Sequence, residues 1–189
     1  MPASDPQSRP ATQSDALDAM ANGIRQLYAR GDTGALATLR RLNTECPVAP
    51  TFHALLAASA PDHLFSGGSN LDTMTRRFAQ VARIMAMKPD GLHGRRLGAV
   101  LHAIGISQTR LAMLLNAQRS TLDDLVRRTA RRIAPSDEPM PYRELGRMLL
   151  LNGRPDARDE LDALRLKIAR DYQRAARASS HDTDRGSDD

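Results

Sequence analysis

The chain has 189 residues, with no tryptophan, three phenylalanines, three tyrosines and one cysteine, and its 27 basic and 22 acidic residues give a net charge of +5. This length supports an aliphatic core without metals, the lone cysteine excludes an internal disulfide, and no run approaches the ~20 apolar residues of a membrane span. Because the N-terminus also lacks a signal-peptide pattern, we expect a cytoplasmic protein without membrane contact.

The first half is predicted to be helical after a polar start. Residues 1–14 are rich in proline and serine, which predicts a disordered N-terminal segment. Apolar residues at helical spacing predict a first helix that Ser14 or Asp15 caps and Gly31 ends. Further helices are expected over residues 33–43, 51–60 and 71–88, with a flexible loop over 66–70 (SGGSN).

The second half continues this pattern up to an acidic tail. One helix is predicted to end at Gly105, and two more follow that Ser107 and Ser120 cap. The next helix is predicted over residues 142–151, and the last one begins at Pro155. Residues 178–189 carry four aspartates and one arginine, and predict a disordered tail.

The fold class follows from these elements. Because β-branched alternation is absent, we expect an all-α fold, a compact bundle of about eight to nine helices over residues 15–177. This domain is either undivided or split into two small lobes, 15–88 and 92–177.

Positive charge is concentrated in the middle of the chain. Residues 76–132 carry eleven arginines and one lysine against three aspartates, a net charge of +9, whereas residues 1–20 carry −2 and residues 178–189 carry −3. Codon bias explains why arginine outnumbers lysine, but it does not explain this concentration. The asymmetry predicts a polyanionic partner such as nucleic acid, with a merely solvated basic face as the alternative.

Arginine doublets on predicted helices are the candidate nucleic-acid contacts. A guanidinium stays charged at physiological pH and presents two N–H donors to phosphate. Arg127, Arg128 and Arg131 are predicted to project from the polar face of one helix, where residues four apart lie about 6 Å apart. Some arginine stems instead cover the core or pair with acids. The doublets are Arg40-Arg41, Arg76-Arg77, Arg95-Arg96, Arg127-Arg128 and Arg131-Arg132.

Catalytic and metal-binding patterns are absent from the sequence. The five histidines lack the i, i+4 spacing of a helical metal pair, and the cysteine has no cysteine partner. Gly67 and Gly68 are not followed by the Lys-Ser/Thr pair of a phosphate-binding loop. We therefore expect no metal, no cofactor and no enzymatic activity.

Residues 108–126 also match a helix-turn-helix DNA reader, which would make the chain a transcription regulator. Ala112 would lie at the contact between the helices, and Asn116 would adopt the left-handed conformation of the turn. Ser120 and Thr121 would face the major groove. An ordinary helical hairpin within a bundle gives the same pattern.

Three stretches in succession resemble one family. They are GDTGALATLRRL (31–42), the segment that runs from GRRLGAVL to RRIA (94–134), and the segment that runs from YRELGRML to DYQRA (142–175). Their order and spacing resemble the small subunit of the type I-E CRISPR surveillance complex, Cascade (the CasB family), over roughly residues 20–176. Two departures are Asn116, where some relatives have a basic residue, and Lys167, in a stretch where the family often has tryptophan.

The resemblance implies an all-helical, non-catalytic subunit, present in two copies, that contacts the backbone and large subunits. It would hold single- and double-stranded DNA beside the hybrid of guide RNA and target DNA, and so stabilise an R-loop in antiviral defence. Such a role needs phosphate contacts that are independent of sequence. By position, the resemblance favours Arg41, Arg110, Arg119, Arg127, Arg128 and Arg154. The full set of predicted nucleic-acid contacts is Arg40, Arg41, Arg95, Arg96, Arg110, Arg119, Arg127, Arg128, Arg131 and Arg154.

Overall fold

The structure is a computed structural model that describes residues 12–61 and 71–185. These ranges contain nine α-helices and no strand, which confirms the predicted all-α bundle. None of the described helices is both long and apolar enough to cross a membrane. The predicted loop over 66–70 lies outside the described ranges. The helices are α1 (Gln13–Ala29), α2 (Thr33–Arg40), α3 (Pro50–Ser59), α4 (Leu71–Met85), α5 (Leu97–Ala103), α6 (Gln108–Asn116), α7 (Arg119–Ile133), α8 (Tyr142–Leu151) and α9 (Arg158–Arg185).

Thr12, rather than Ser14 or Asp15, caps the first helix. Its hydroxyl accepts a hydrogen bond from the Asp15 amide (3.2 Å), and the Asp15 carboxylate accepts one from the Thr12 amide (2.7 Å). This reciprocal pair satisfies donors that the first helical turn leaves free. Residues 13 and 14 are therefore helical, contrary to the predicted disorder of residues 1–14, while residues 1–11 lie outside the described ranges.

The last helix is longer than the sequence predicted. A short 3-10 turn over Pro155–Ala157 leads into α9, which continues to Arg185. Residues 178–185 are therefore helical where a disordered tail was expected, and residues 186–189 lie outside the described ranges. The Ser179 hydroxyl donates to the Ala175 carbonyl oxygen (3.2 Å), a bond that serine commonly makes inside a helix.

The buried apolar side chains of the described residues form one continuous core. Leu17 of α1, Phe78 of α4 and Leu149 of α8 are almost fully buried in it, and each such burial contributes roughly 1.5–3 kcal/mol. Because α8 packs against both α1 and α4, the segments 15–88 and 92–177 share this core.

The C-terminal half packs around α9. Helix α5 lies directly against α9 at Gly98. The Leu97 amide, at the start of α5, donates to the buried carboxylate of Glu144, and Lys167 Nζ donates to the other oxygen of that carboxylate (2.8 Å). These bonds join α5, α8 and α9. Helix α6 packs against α9, and α7 packs against α8.

Candidate nucleic-acid interface

A two-residue connection between α6 and α7 sets the position of the α7 arginines. Ser107 caps α6 as predicted, because its hydroxyl accepts a hydrogen bond from the Arg110 amide (3.4 Å). Helix α7 begins at Arg119 without a side-chain cap, and Arg119 has a φ of +50°. The predicted cap at Ser120 and the predicted left-handed Asn116 are therefore wrong, since Asn116 is the last residue of α6.

The buried amide of Asn152 holds Arg119 in its left-handed conformation. Asn152 Oδ1 accepts from the Arg119 amide (2.9 Å), and its Nδ2 donates to the Arg119 carbonyl oxygen (2.7 Å) and to Asp123 Oδ1 (2.7 Å). A left-handed non-glycine residue costs roughly 1–2 kcal/mol, which these three bonds offset. Because Asn152 directly follows α8, the start of α7 is fixed to the core.

The α6–α7 pair differs from a helix-turn-helix DNA reader. Ala112, which that motif would bury between its helices, is exposed. The connection has two residues where the motif has three or four, and the left-handed position falls on Arg119. The pair is therefore a helical hairpin of the bundle, and Leu122 and Val126 bury its second helix in the core.

The exposed face of α7 carries four arginines in two i, i+4 rows. Arg128, Arg131 and Arg132 are exposed. Arg127 has 36% of its side chain exposed and pairs with Asp124 (2.5 Å). The predicted polar face is therefore present, with Arg132 as an additional member. The buried residues of the helix are Leu122, Val126, Ala130 and Ile133.

Arginines from two helices line one cleft of about 400 Å³, which we call the α6–α7 cleft. Arg110 comes from α6, and Arg128 and Arg132 come from α7. Within the described residues, the side chains of Arg110 and Arg128 have no hydrogen-bond or ion-pair partner, and Arg132 makes one long hydrogen bond to the Ile104 carbonyl oxygen (3.5 Å). No carboxylate is among the described lining residues, so an anion would meet uncompensated positive charge. The other lining residues are Leu101, Ile106, Met113, Leu114, Leu125 and Thr129.

A second pocket, of about 260 Å³, is mixed in charge. Burial first, and then the charges of Arg127 and Arg131, lower the pKa of Arg83, and Arg83 Nε is buried without a hydrogen-bond partner. The unpaired Nε–H of Arg83 could donate to a bound anion, but the negative charges of the neighbouring carboxylates would repel that anion. The charged residues that line the pocket are Arg83, Arg127, Glu45, Asp123 and Asp124.

Arg95 and Arg96 precede α5 instead of lying on a helix as predicted. Arg96 is the residue before its first turn. Arg95 pairs with Glu138, and Arg96 pairs with the buried carboxylate of Asp171 (2.8 Å). Their guanidinium groups are thus engaged within the protein and lie outside the α6–α7 cleft.

Two further predicted contacts are also engaged internally. Arg40 Nε donates to the Ala86 carbonyl oxygen (2.6 Å), and Arg154 pairs with Asp156 (2.5 Å). Arg41 is exposed at the end of α2, and no partner for its side chain lies in the described ranges. These positions are separate from the α6–α7 cleft.

Arg119 is exposed and belongs to a different cleft, at the start of α7. Its side chain has no partner among the described residues, whereas Arg154 and Arg165 in the same cleft pair with Asp156 and Asp162. Arg158 also lines this cleft. The structure therefore distributes the predicted arginines over several surfaces. It brings Arg110 and Arg128 together in the α6–α7 cleft, and Arg119 and Arg154 together in this second cleft.

Arg132 belongs to a predicted doublet but is absent from the final set of predicted contacts, and Arg83 is absent from both, although the sequence pattern indicates each of them. Arg132 follows Arg128 at i+4, and Arg83 lies on the polar side of α4. Arg77 has the opposite outcome, because its guanidinium donates to the Leu149 and Leu150 carbonyl oxygens (3.3 and 2.8 Å) and satisfies the end of α8.

Asp123→Asn is expected to stabilise the protein at neutral pH. Burial has the largest effect on this carboxyl and raises its pKa, against hydrogen bonds from Asn152 and Gln80 and the charge of Arg77. Because the folded-state pKa lies above the unfolded value of ~3.9, the contribution to stability is complete below that value and is lost as the pH rises through the folded pKa. A neutral amide avoids this loss and, after a flip of the Gln80 amide, which now directs Nε2 at Asp123 Oδ2 (3.4 Å), can donate to Gln80 Oε1, which is buried without a partner.

Urea unfolding of the Asp123→Asn variant at about pH 4 and about pH 7 checks this expectation. The gain over the wild type should be larger at the higher pH. Asp124→Asn is the matched control, because this exposed carboxylate already pairs with Arg127 and should give no gain. A variant at Asp123 that is less stable than the wild type at the higher pH would contradict the expectation.

Metal-ligating side chains do not cluster in the described parts of the chain. Over residues 12–61 and 71–185, no group of three or more His, Cys, Asp or Glu side chains could hold a metal ion.

Comparison with known proteins gives a likeness in structure. No protein-family model matches the chain, and no curated protein matches it in sequence. The crystal structure of M. ruber CasB is similar, with a TM-score of 0.58 and 20% sequence identity, over 85% of this chain and 95% of that one. The two chains therefore share a fold, as the sequence resemblance to the CasB family predicted.

Proposed function

We propose that this chain is the small subunit of a type I-E CRISPR surveillance complex, and that it binds nucleic-acid backbone without reading sequence. Two independent likenesses support membership: the three sequence stretches that resemble the CasB family, and the shared fold over 85% of the chain. Neither likeness identifies the surface that binds nucleic acid. We infer that surface from the positions of the arginines in the structure.

The α6–α7 cleft is the observation that supports a nucleic-acid-binding surface on this chain. Arg110, Arg128 and Arg132 meet there, and no carboxylate lies among its described lining residues. Guanidinium groups bind phosphate through paired N–H donors and through charge. Such contacts provide affinity but do not recognise the base sequence. Arg131, exposed on the same helix, extends this basic surface along α7.

The proposal includes the partners that the family resemblance implies. These are single- and double-stranded DNA, the hybrid of guide RNA and target DNA, the backbone and large subunits, and a second copy of the chain in a cytoplasmic complex. The role is one of holding strands in an R-loop, with no catalytic step. Arg41 and Arg119, exposed outside the cleft, are the remaining candidates for contacts with strands or subunits.

Binding of the isolated protein to three unrelated sequences, each as single strand, duplex and RNA–DNA hybrid, tests this proposal. Affinity should differ by no more than roughly threefold between sequences of one form, and log K should fall linearly with log salt concentration. A single duplex sequence bound about 10³-fold more tightly than the others would instead indicate a sequence-specific regulator. Failure to bind any nucleic acid at about 50 mM salt would reject the proposal.

A further inference from the structure

We propose that the α6–α7 cleft holds an unpaired nucleobase against its apolar floor while its arginines hold the neighbouring phosphates, so that the chain prefers single strands to duplex. This inference rests on the proposed function and deepens it, because it names the form of nucleic acid that the cleft recognises. Its basis is the chemistry of the cleft between the arginines.

The floor of the cleft is apolar, which phosphate binding alone does not require. Leu101 and Leu114 are buried beneath it, and Ile106 and Leu125 are half-buried. Met113 is 58% exposed, one of the few large apolar side chains at the described surface. A phosphodiester gains nothing from such a floor, whereas the flat face of a base gains by covering it.

The groups around the floor suit a base ring. A methionine thioether packs favourably on aromatic rings, and a guanidinium stacks on them. The volume of about 400 Å³ falls within the range of clefts that hold small organic ligands, about 300–1,000 Å³. Among the described lining residues, Thr129 offers the one neutral hydroxyl, which can donate to or accept from any base. The described cleft therefore has little means to discriminate between bases.

The absence of acid among the described lining residues favours nucleic acid over the other occupants of such a cleft. An apolar peptide would leave the charges of Arg110, Arg128 and Arg132 uncompensated. A duplex would place phosphate on the arginines but keep its bases stacked inside, away from Met113. A single strand satisfies both parts of the cleft together.

A comparison of two oligonucleotides of equal length and charge tests the inference: an oligothymidylate and an abasic deoxyribose-phosphate strand. The full chain should bind the oligothymidylate about fivefold or more tightly than the abasic strand. Met113→Ala should remove most of that difference without changing the affinity for the abasic strand or for duplex. Leu166→Ala, which truncates a 59% exposed side chain outside the cleft, is the matched control and should leave the difference intact.

A 2-aminopurine base within the oligothymidylate gives a second readout, since its fluorescence should change on binding to the wild type and much less on binding to Met113→Ala. Equal affinity for the two strands, with no fluorescence change, would overturn the inference and leave phosphate binding in place. Failure to bind either strand at low salt would overturn both this inference and the proposed function.

Discussion

Replacing Arg128 and Arg132 together with alanine is expected to weaken nucleic-acid binding by about tenfold or more at 0.1 M salt, on every sequence alike. Both side chains are exposed on α7 and line the α6–α7 cleft. If each meets one phosphate, the slope of log K against log salt should become shallower by about 1.4 on single strands and about 1.8 on duplex. Titrations at several salt concentrations measure both effects.

Arg30→Ala combined with Arg170→Ala is the charge-matched control. Both arginines are exposed, have no partner in the described ranges and lie outside the α6–α7 cleft. This double variant loses the same net charge, so it isolates the effect of position. Equal losses of affinity in the two double variants would contradict the assignment to the cleft. Unfolding free energies should stay within about 0.5 kcal/mol of the wild type in both, because the side chains are exposed.

Gly98→Ala is expected to lower the free energy of unfolding by about 3 kcal/mol. A Cβ at this position would lie 2.2 Å from the Ile168 carbonyl oxygen and 2.5 Å from the Tyr172 amide nitrogen. Both atoms belong to the backbone of α9, so no side-chain rotation relieves the clash, and α5 has to move away from α9. Denaturant unfolding at neutral pH measures the loss.

Gly34→Ala provides the contrast for this substitution. Gly34 also lies in a helix, α2, but the nearest atom to its added Cβ is Asp32 Oδ1 at 3.8 Å. Alanine there should be neutral or stabilise the protein by up to about 1 kcal/mol, because it lowers the backbone entropy of the unfolded chain. A Gly98→Ala variant as stable as Gly34→Ala would show that α5 and α9 do not pack this closely.

Much of the fold could be predicted because it depends on local signals. Apolar spacing and the break at Gly105 located the helices, and the cap predicted at Ser107 is present in the structure. The start of α7 could not be predicted in this way. Its left-handed residue is held by Asn152, 33 positions along the chain, a contact that no local pattern at Ser120 could indicate.

The candidate site was less predictable, because the sequence shows which residues are basic but not which acids face them. Arg96 is matched by Asp171, 75 residues away, and Arg95 by Glu138, 43 residues away. Whether a given arginine pairs with an acid inside the protein therefore depends on contacts between residues far apart in the sequence. Arg128 and Arg132 differ from Arg95 and Arg96 because no acidic residue lies among the described residues of their cleft. This difference depends on tertiary packing, which the local sequence does not show.

Footprinting of the arginines tests most directly where nucleic acid binds. The protein is treated with phenylglyoxal in the presence and absence of a saturating single strand, and modification at each arginine is read by mass spectrometry. The cleft assignment predicts protection of Arg110, Arg128 and Arg132, with Arg30 and Arg170 unchanged. Protection confined to other arginines, or none while the strand is bound, would contradict the assignment of nucleic-acid binding to the α6–α7 cleft.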